Sequence, residues 1–311
     1  MFIPCWSIEP ISSMIGFLNN QSAILISIPL TFLLIVTELY ISYRYDKKYY
    51  SFTDTKHNIL LGVIFAGVEA LLSGGCLLMM NVIAGVGFKV APANAWVYWI
   101  TLYFFEDLLY YTMHFLDHHI RILWAGHITH HSSDKFNFSV GLRAAIFEPV
   151  EKFIFFIPLA LIGYHAIDIL LVYILSQTFG TLAHTNLIKK LGVLDYFLVT
   201  PSNHRVHHAK NIRYLDKNFG MTIVIWDKIF GTYEKEEEEE PVEFGVQRTT
   251  PYTSFADVVT NEIKQIIKDA SQEITLRQKL KYIFGLPGYS HDGSRKTTKQ
   301  LRQENISENQ T

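Results

Sequence analysis

Three histidine clusters set the terms on which this chain can fold. The first, H-x-x-x-H, is His114 and His118. The second, H-x-x-H-H, is His127, His130 and His131. The third, HRVHH, is His204, His207 and His208. Each has the spacing of one helical turn. Residues i, i+3 and i+4 share a helix face with Cβ atoms about 5–6 Å apart, so a helical box aims its imidazoles at one point, as the two histidines of H-E-x-x-H do for zinc. The boxes supply eight imidazoles in all. A structural zinc takes about four ligands, so eight that converge suit two ions better than one. Imidazole serves iron, copper, nickel and zinc alike, and the ligand type leaves the metal open. One histidine in an apolar chain is more often a hydrogen-bonded core group; three boxes at helical spacing leave little room for that reading.

To bring the boxes together the chain must return twice to one place, and its composition says through what medium. Of 311 residues, 49% are hydrophobic and 14% aromatic, and the mean hydropathy is positive, which points to a membrane. The length allows one large domain or two ordinary ones. A formal charge of −2 gives no basis for a nucleic-acid surface. Cys5 and Cys76 lie far apart, so neither a disulfide framework nor a cysteine metal site is indicated. The first twenty residues hold no Lys or Arg and lack the charged start of a secretory signal peptide.

The expected fold is all-α: an integral membrane helical bundle of about four spans, the last a hairpin, under a cytoplasmic helical cap that holds the histidines. Ser22 to Tyr40 has 19 residues with Glu38 as its one charge, close to the ~20 needed to cross a hydrocarbon core. The next loop carries Arg44, Lys47, Lys48 and Lys56 among Tyr43, Tyr45, Tyr49 and Tyr50, which assigns it to the cytoplasm and an interfacial aromatic belt. A second span runs from about Asn58 to Ala84, tilted or broken around Gly74-Gly75. Its Glu69 is a functional candidate as an intramembrane acid, or a partner within the bundle. The third, Ala95 to about Met113, runs directly into His114. Val150 to Tyr164 and His165 to Thr181 form the hairpin, each marginal in length for a span. Boxes one and two precede it and box three follows, so an even number of crossings must separate them.

His184 follows the hairpin at once and is a ninth ligand candidate. Asp107, Tyr111, His114 and His118 fall on one helical stripe, where Asp107 could accept a second imidazole N–H and fix the tautomer, or merely cap a water-filled cavity. Asn137, in the same histidine-rich stretch, joins Asp107 as a candidate for such a supporting role. His57, His165 and His119 are left outside the ligand set; His119 points about 100° from His118 on a helix. Residues 1–245 are thus assigned to the membrane-embedded, histidine-bearing domain. Residues 246–290 form an amphipathic helical segment, lying on the membrane surface or packed on the cap, and 291–311 a disordered polar tail. Glu234 and Glu236 to Glu240 read as a solvated acidic loop.

A histidine cluster at that place sees dissolved dioxygen and lipid tails. Hydrolytic zinc sites usually keep three ligands and an open position; eight or nine neutral imidazoles around two irons suit redox chemistry better. From Trp96 to Tyr233 the chain resembles the fatty acid hydroxylase / sterol desaturase superfamily of membrane diiron enzymes. The resemblance rests on EDLLYYTMHFLDH, LWAGHITHHSSDKFN, TPSNHRVHHAKN, DKNFG and WDKIFGT, and is closest to the branch that contains alkylglycerol monooxygenase. It implies that the box histidines and His184 are ligands, that there are four or more spans and that the site faces the cytoplasm. It implies two Fe ions, which zinc replaces on purification, with O2 as co-substrate. An external reductant is also implied, whether a pterin, a ferredoxin or a cytochrome. Where the family often has Arg after the first box histidine, this chain has Phe115. The expected activity is hydroxylation of a C–H bond in a lipid: a sterol, a fatty acyl chain or an ether lipid. The alternatives are desaturation on the same site, a non-enzymatic metal or haem carrier, and a zinc lipid hydrolase. The expected location is the bacterial inner membrane, or the endoplasmic reticulum in a eukaryote.

Overall fold

The computed structural model describes residues 20–90, 92, 94–247, 252 and 254–308, with only the backbone of residues 20–28. Cys5 lies outside them. Among the described residues the chain is helical throughout, with two isolated antiparallel bridges, Leu198 to Ile223 and Ala209 to Phe244, and no strand.

Helix α1, Asn20–Arg44, is followed by α2, Phe52–Val86. The Ser51 hydroxyl caps α2 by accepting the Asp54 N–H, one of the donors a helix start leaves unpaired. At 1.5 Å per residue α2 is about 52 Å long. Among the described residues it is the one helix of sufficient length and apolar character to cross a membrane. It runs through Gly74-Gly75 without a break. Helix α3, Ala95–His119, starts at an Asn94 cap and passes through the single residue Ile120 into α4, Arg121–His131. Boxes one and two therefore ride on two helices that meet at a corner. A short 3-10 turn, Phe138–Leu142, leads to the hairpin of α5, Glu148–Ile162, and α6, Ala166–Leu182.

That hairpin is the one expected, with helices of 15 and 17 residues, each short of the ~20 for a full crossing. Gly163 terminates α5 at φ 110°, a left-handed conformation open to glycine. A Cβ there would also meet Lys89 Cα at 2.9 Å. The strand-like stretch after α2 uses that gap, donating from Phe88 to the Leu161 carbonyl and from Val90 to that of Ile162. The main core joins α2, α3, α5 and α6 through Met80, Leu102, Phe156, Leu159, Ile169 and Val172. Glu69 is a partner within it: Lys152 Nζ lies 2.7 Å from its carboxylate.

Beyond the hairpin lie a 3-10 turn, Gly192–Tyr196, then α7, Pro201–His207, with box three, and α8, Ile225–Phe230. Helices α9, Phe255–Ala270, and α10, Leu276–Phe284, pack on α4. The amphipathic segment thus packs on the helix that carries box two. Its anchor is the buried Arg121, whose Nε donates to Glu262 and Nη1 to Asp269, both at 2.7 Å. The polar tail departs from the expected disorder. Residues 291–308 carry α11, Thr298–Glu308, because polar groups replace the missing apolar ones. Arg295 donates to Asp269 at 2.6 Å, Lys296 to Glu304 at 2.6 Å, and Arg302 to the Leu215 carbonyl.

Candidate metal centre

All nine candidate histidines converge, and they do so as two groups. His114, His118, His127, His131 and His207 form one; His130, His184, His204 and His208 form the other. Within each group the nearest ring nitrogens lie within 4.8 Å of one another. The adjacent histidines of box two, His130 and His131, divide between the groups, and so do His207 and His208 of box three. The groups touch along that line, with the His131 and His208 rings stacked 4.4 Å apart. His184 is needed to bring the second group to four.

Backbone carbonyls orient the rings. Nδ1 of His114 donates to Phe219 O at 2.8 Å, His130 to Arg143 O at 3.0 Å, His184 to Gly180 O at 2.9 Å and His207 to Lys217 O at 2.9 Å. A carbonyl only accepts, so in each neutral ring the proton sits on Nδ1 and Nε2 is a bare lone pair. Nε2 of His130 and Nε2 of His184 are then two lone pairs 3.3 Å apart, with no proton to share between them. The buried Nε2 atoms of His118 and His207 have no hydrogen-bond partner. Other Nε2 pairs stand at 2.9–3.2 Å, among them His114 with His127 and His184 with His204. Ligands about 2.0–2.1 Å from one metal ion stand roughly 2.9–3.4 Å from each other. Lone pairs at that spacing fit two metal ions. Seven of the nine side chains are buried and His127 and His130 half-buried. Burial, then the neighbouring histidines, hold His127, His131, His204, His207 and His208 well below the usual imidazole range. Burial lowers His130 to about 4 and His184 to about 3. All are neutral, as ligands must be.

The supporting residues differ from those expected. Asp107 reaches no histidine. It accepts the Thr222 N–H at 3.1 Å, the Thr222 hydroxyl, and the Trp226 indole N–H at 3.0 Å, and so pins the cap loop to α3. Asn137 caps the 3-10 turn, accepting the Ser139 N–H at 3.0 Å and donating to Tyr49 O at 2.8 Å; none of these bonds goes to a histidine. The loop Asp216–Gly220, the DKNFG motif, takes the role given to Asp107. Its Asp216 carboxylate faces His118 Nδ1 at 3.3 Å, and Lys217 O and Phe219 O hold His207 and His114. Asp216 and Asn218 adopt φ 49° and 56°, a left-handed geometry that short polar side chains tolerate. Asp227, in WDKIFGT, fastens the loop by accepting from Phe219 N at 2.7 Å and Gly220 N at 2.9 Å.

Arg143 holds the second group and is fully buried. It donates to Asp54 at 2.9 Å, Asn58 at 2.7 Å and Thr129 O at 2.8 Å, while its own carbonyl takes His130. Part of the acidic run is also engaged: Glu236 accepts from Arg205 of box three at 2.7 Å and from Ser202 at 2.7 Å. His119 donates to Phe115 O and stacks on the Phe115 ring, and His165 is the exposed residue before α6. Neither belongs to the cluster.

The family model described as fatty acid hydroxylase matches residues 99–232, which hold all nine histidines together with Asp216 and Asp227. This segment is similar to the fatty acid hydroxylase family. The matched segment runs from within α3 to α8. The chain is 40% identical over 164 residues to human alkylglycerol monooxygenase, covering 51% of this chain and 35% of that one. It is 39% identical over 150 residues to the Danio rerio enzyme of that name, 47% of this chain and 32% of the other. With the ornithine lipid hydroxylase OlsE of Rhizobium tropici it shares 30% identity over 137 residues, 44% and 41% of the two chains. The matches span about a third to two fifths of the length of these relatives. No solved structure matches the chain.

Proposed function

We propose that this chain is a membrane-bound, two-metal oxidoreductase that uses dioxygen to hydroxylate a C–H bond of a lipid. The observation that carries the reading is the pair of facing lone pairs on His130 and His184, within two groups of buried, neutral imidazoles. Relatives named as monooxygenase and lipid hydroxylase support the lipid substrate. Group one would be held by His114, His118, His127, His131 and His207, group two by His130, His184, His204 and His208. Two iron ions bound there would supply reductive activation of dioxygen.

The protein's own part is placement and exclusion of water. The carbonyls of Phe219, Lys217, Arg143 and Gly180 fix which nitrogen of each ring is free. Phe136 stacks on His184, with centroids 5.6 Å apart, and on Phe244 at 4.8 Å, closing that side of the site with aromatic carbon. Phe219 packs beside His114, His118 and His207. A dry, preorganised site keeps a reactive oxidant from water and leaves the lipid as its target. The basic loop at Arg44 to Lys48 lies on the side of the histidines, since Asn137 is tied to Tyr49, and the positive-inside tendency puts that side in the cytoplasm.

The test is metal content by elemental analysis, with an optical scan, followed by incubation with lipid extract, reductant and oxygen-18. Two irons per chain without haem absorbance, and a lipid product heavier by one labelled oxygen, are expected. One metal or none would sink the two-ion reading. A product lighter by two hydrogens would make the enzyme a desaturase.

A further inference from the structure

The cap carries an apolar face that its own core does not use. The 3-10 turn Gly192–Tyr196 and its flanks expose Leu191, Val193, Leu194 and Phe197, and α8 exposes Ile225, Ile229 and Phe230. These are not isolated surface residues: Val193 is 71%, Phe197 65% and Ile229 61% exposed. The two pieces form one surface, because Val224 N donates to Phe197 O at 3.1 Å and Val199 N to Thr222 O at 2.9 Å. A contiguous exposed patch of this kind marks an interaction surface. Lysines stand around it. Lys228 Nζ donates to Tyr196 O at 2.5 Å and lies over the Tyr196 and Tyr233 rings. Lys235 reaches the Tyr196 hydroxyl at 3.0 Å, and Lys189 and Lys190 are exposed directly before the turn.

Two observations say what covers this face. The first is continuity with the outward stripe of α3. Val97, Ile100 and Phe104 are exposed along that stripe. Phe104 meets Trp226 of α8 with centroids 4.6 Å apart, and Phe230 stacks on Tyr111 at 5.3 Å. The patch therefore begins where the apolar part of α3 ends, within about 15 Å of helix length between Phe104 and His114. The second is its level on α1. Thr185, just before Lys189, donates to Glu38 at 2.5 Å, six residues before Arg44 and its belt of tyrosines. Both place the patch at the boundary between apolar helix and histidine cap. Aromatic and aliphatic groups with lysines alongside are what a helix or turn lying in a bilayer interface presents. A docking face for a soluble electron donor has no need to run on into the lipid-facing stripe of a helix.

We propose that the 191–197 turn and α8 together form a membrane-seated foot of the cap. Its apolar side chains lie in the headgroup region, and Lys189, Lys190, Lys228 and Lys235 meet lipid phosphates. The proposal rests on the membrane-bound reading above, and the test separates the two.

In a Cys5→Ser/Cys76→Ser background, single cysteines at Val193, Phe197 and Ile229 carry a spin label in the full chain, reconstituted in phosphatidylcholine vesicles with and without phosphatidylglycerol. Collision with oxygen against a water-soluble nickel chelate reports depth. Leu71 on α2 and Glu239 on the acidic loop serve as references. The foot labels should be rich in oxygen and shielded from nickel, shallower than Leu71 and unlike Glu239. Adding Lys189→Glu/Lys190→Glu should reduce the shielding at Val193 only where phosphatidylglycerol is present. If Leu71 is deep but the foot labels collide with nickel as freely as Glu239, the foot is overturned and the membrane-bound reading stands. Shielding that arises only on adding a soluble acidic protein would also overturn it, making the face a protein interface. If Leu71 is itself open to nickel, the membrane-bound reading falls, and the foot with it.

Discussion

His130 and His184 face each other with bare nitrogens across 3.3 Å, and the residues that impose this are carbonyls, not side chains. The convergence of the box histidines was legible in the sequence because helical spacing is a property of side-chain identity and register. Their supports were not, since any residue can offer the carbonyls of Phe219, Arg143, Gly180 and Lys217. Asp107 stood on the right stripe of α3 but serves Thr222 and Trp226, whereas Asp216 comes from a distant loop. At this scale Asp216→Ala should weaken metal binding about 10–100-fold, read by competition with a chelator, because His118 loses the acceptor that orients it. His130→Ala and His207→Ala should lose both turnover and metal. His165→Ala should stay within about 0.5 kcal/mol of the parent and keep full metal content, being exposed and outside the cluster. Wild-type metal content in the His130 or His207 variant would contradict the two-group assignment. Arg143→Met should destabilise the fold by about 3–5 kcal/mol and lower the thermal midpoint, because it leaves the Asp54 carboxylate without its cation and the Asn58 side-chain oxygen without its donor. A variant as stable as the parent would show that Arg143 is not the hub its hydrogen bonds suggest.

At the scale of elements, short helices are fixed by polar clasps rather than by apolar area. Helix α7 has seven residues, too few to persist alone, and it must still present three histidines. The buried Arg205 does this by donating to Glu236 and to the carbonyls of Thr185 and Ile188. This tie was not legible, because Glu236 sits in a run of glutamates that reads as solvated, and only one member of a uniform run meets the arginine. Burial pushes the Glu236 carboxyl up, but hydrogen bonding and charge from Arg205 more than reverse this and hold it below its ordinary value of 4.5. A carboxyl lowered in the folded state binds fewer protons there than in the unfolded chain. Its contribution is therefore complete above about 4.5 and lost as the pH falls through the lower folded value. The thermal midpoint should drop on acidification through that window, and the drop should be smaller in Glu236→Gln. An identical acid response in the two proteins would remove the clasp from this account.

Across the whole molecule, the return of the chain to one face is what makes a single site from boxes 73 residues apart, His131 to His204. The rule that an even number of crossings must separate them needs only the boxes to meet, so a hairpin was legible from two marginal apolar stretches. The C-terminal tail was not, since low hydrophobicity argues for disorder when its partners, Asp269 and the Leu215 carbonyl, lie elsewhere in the chain. The arrangement makes sidedness testable. Asn137 ties the 3-10 turn beside the histidines to the loop after α1 at Tyr49, so that loop and the cap share one side, while α2 carries the chain away to Val86. In sealed vesicles of single orientation, an impermeant thiol reagent should therefore modify cysteines at Lys47 and Glu239 from the same side. A cysteine at Val86 should react from the other. Modification of all three from one side would mean that α2 does not cross, and the site would then sit on a membrane surface rather than at the end of spans. Opposite sides for Lys47 and Glu239 would require an odd number of crossings between the loop and box three. Asn137 could not then reach Tyr49, so that result would contradict the shared side of the loop and the histidines.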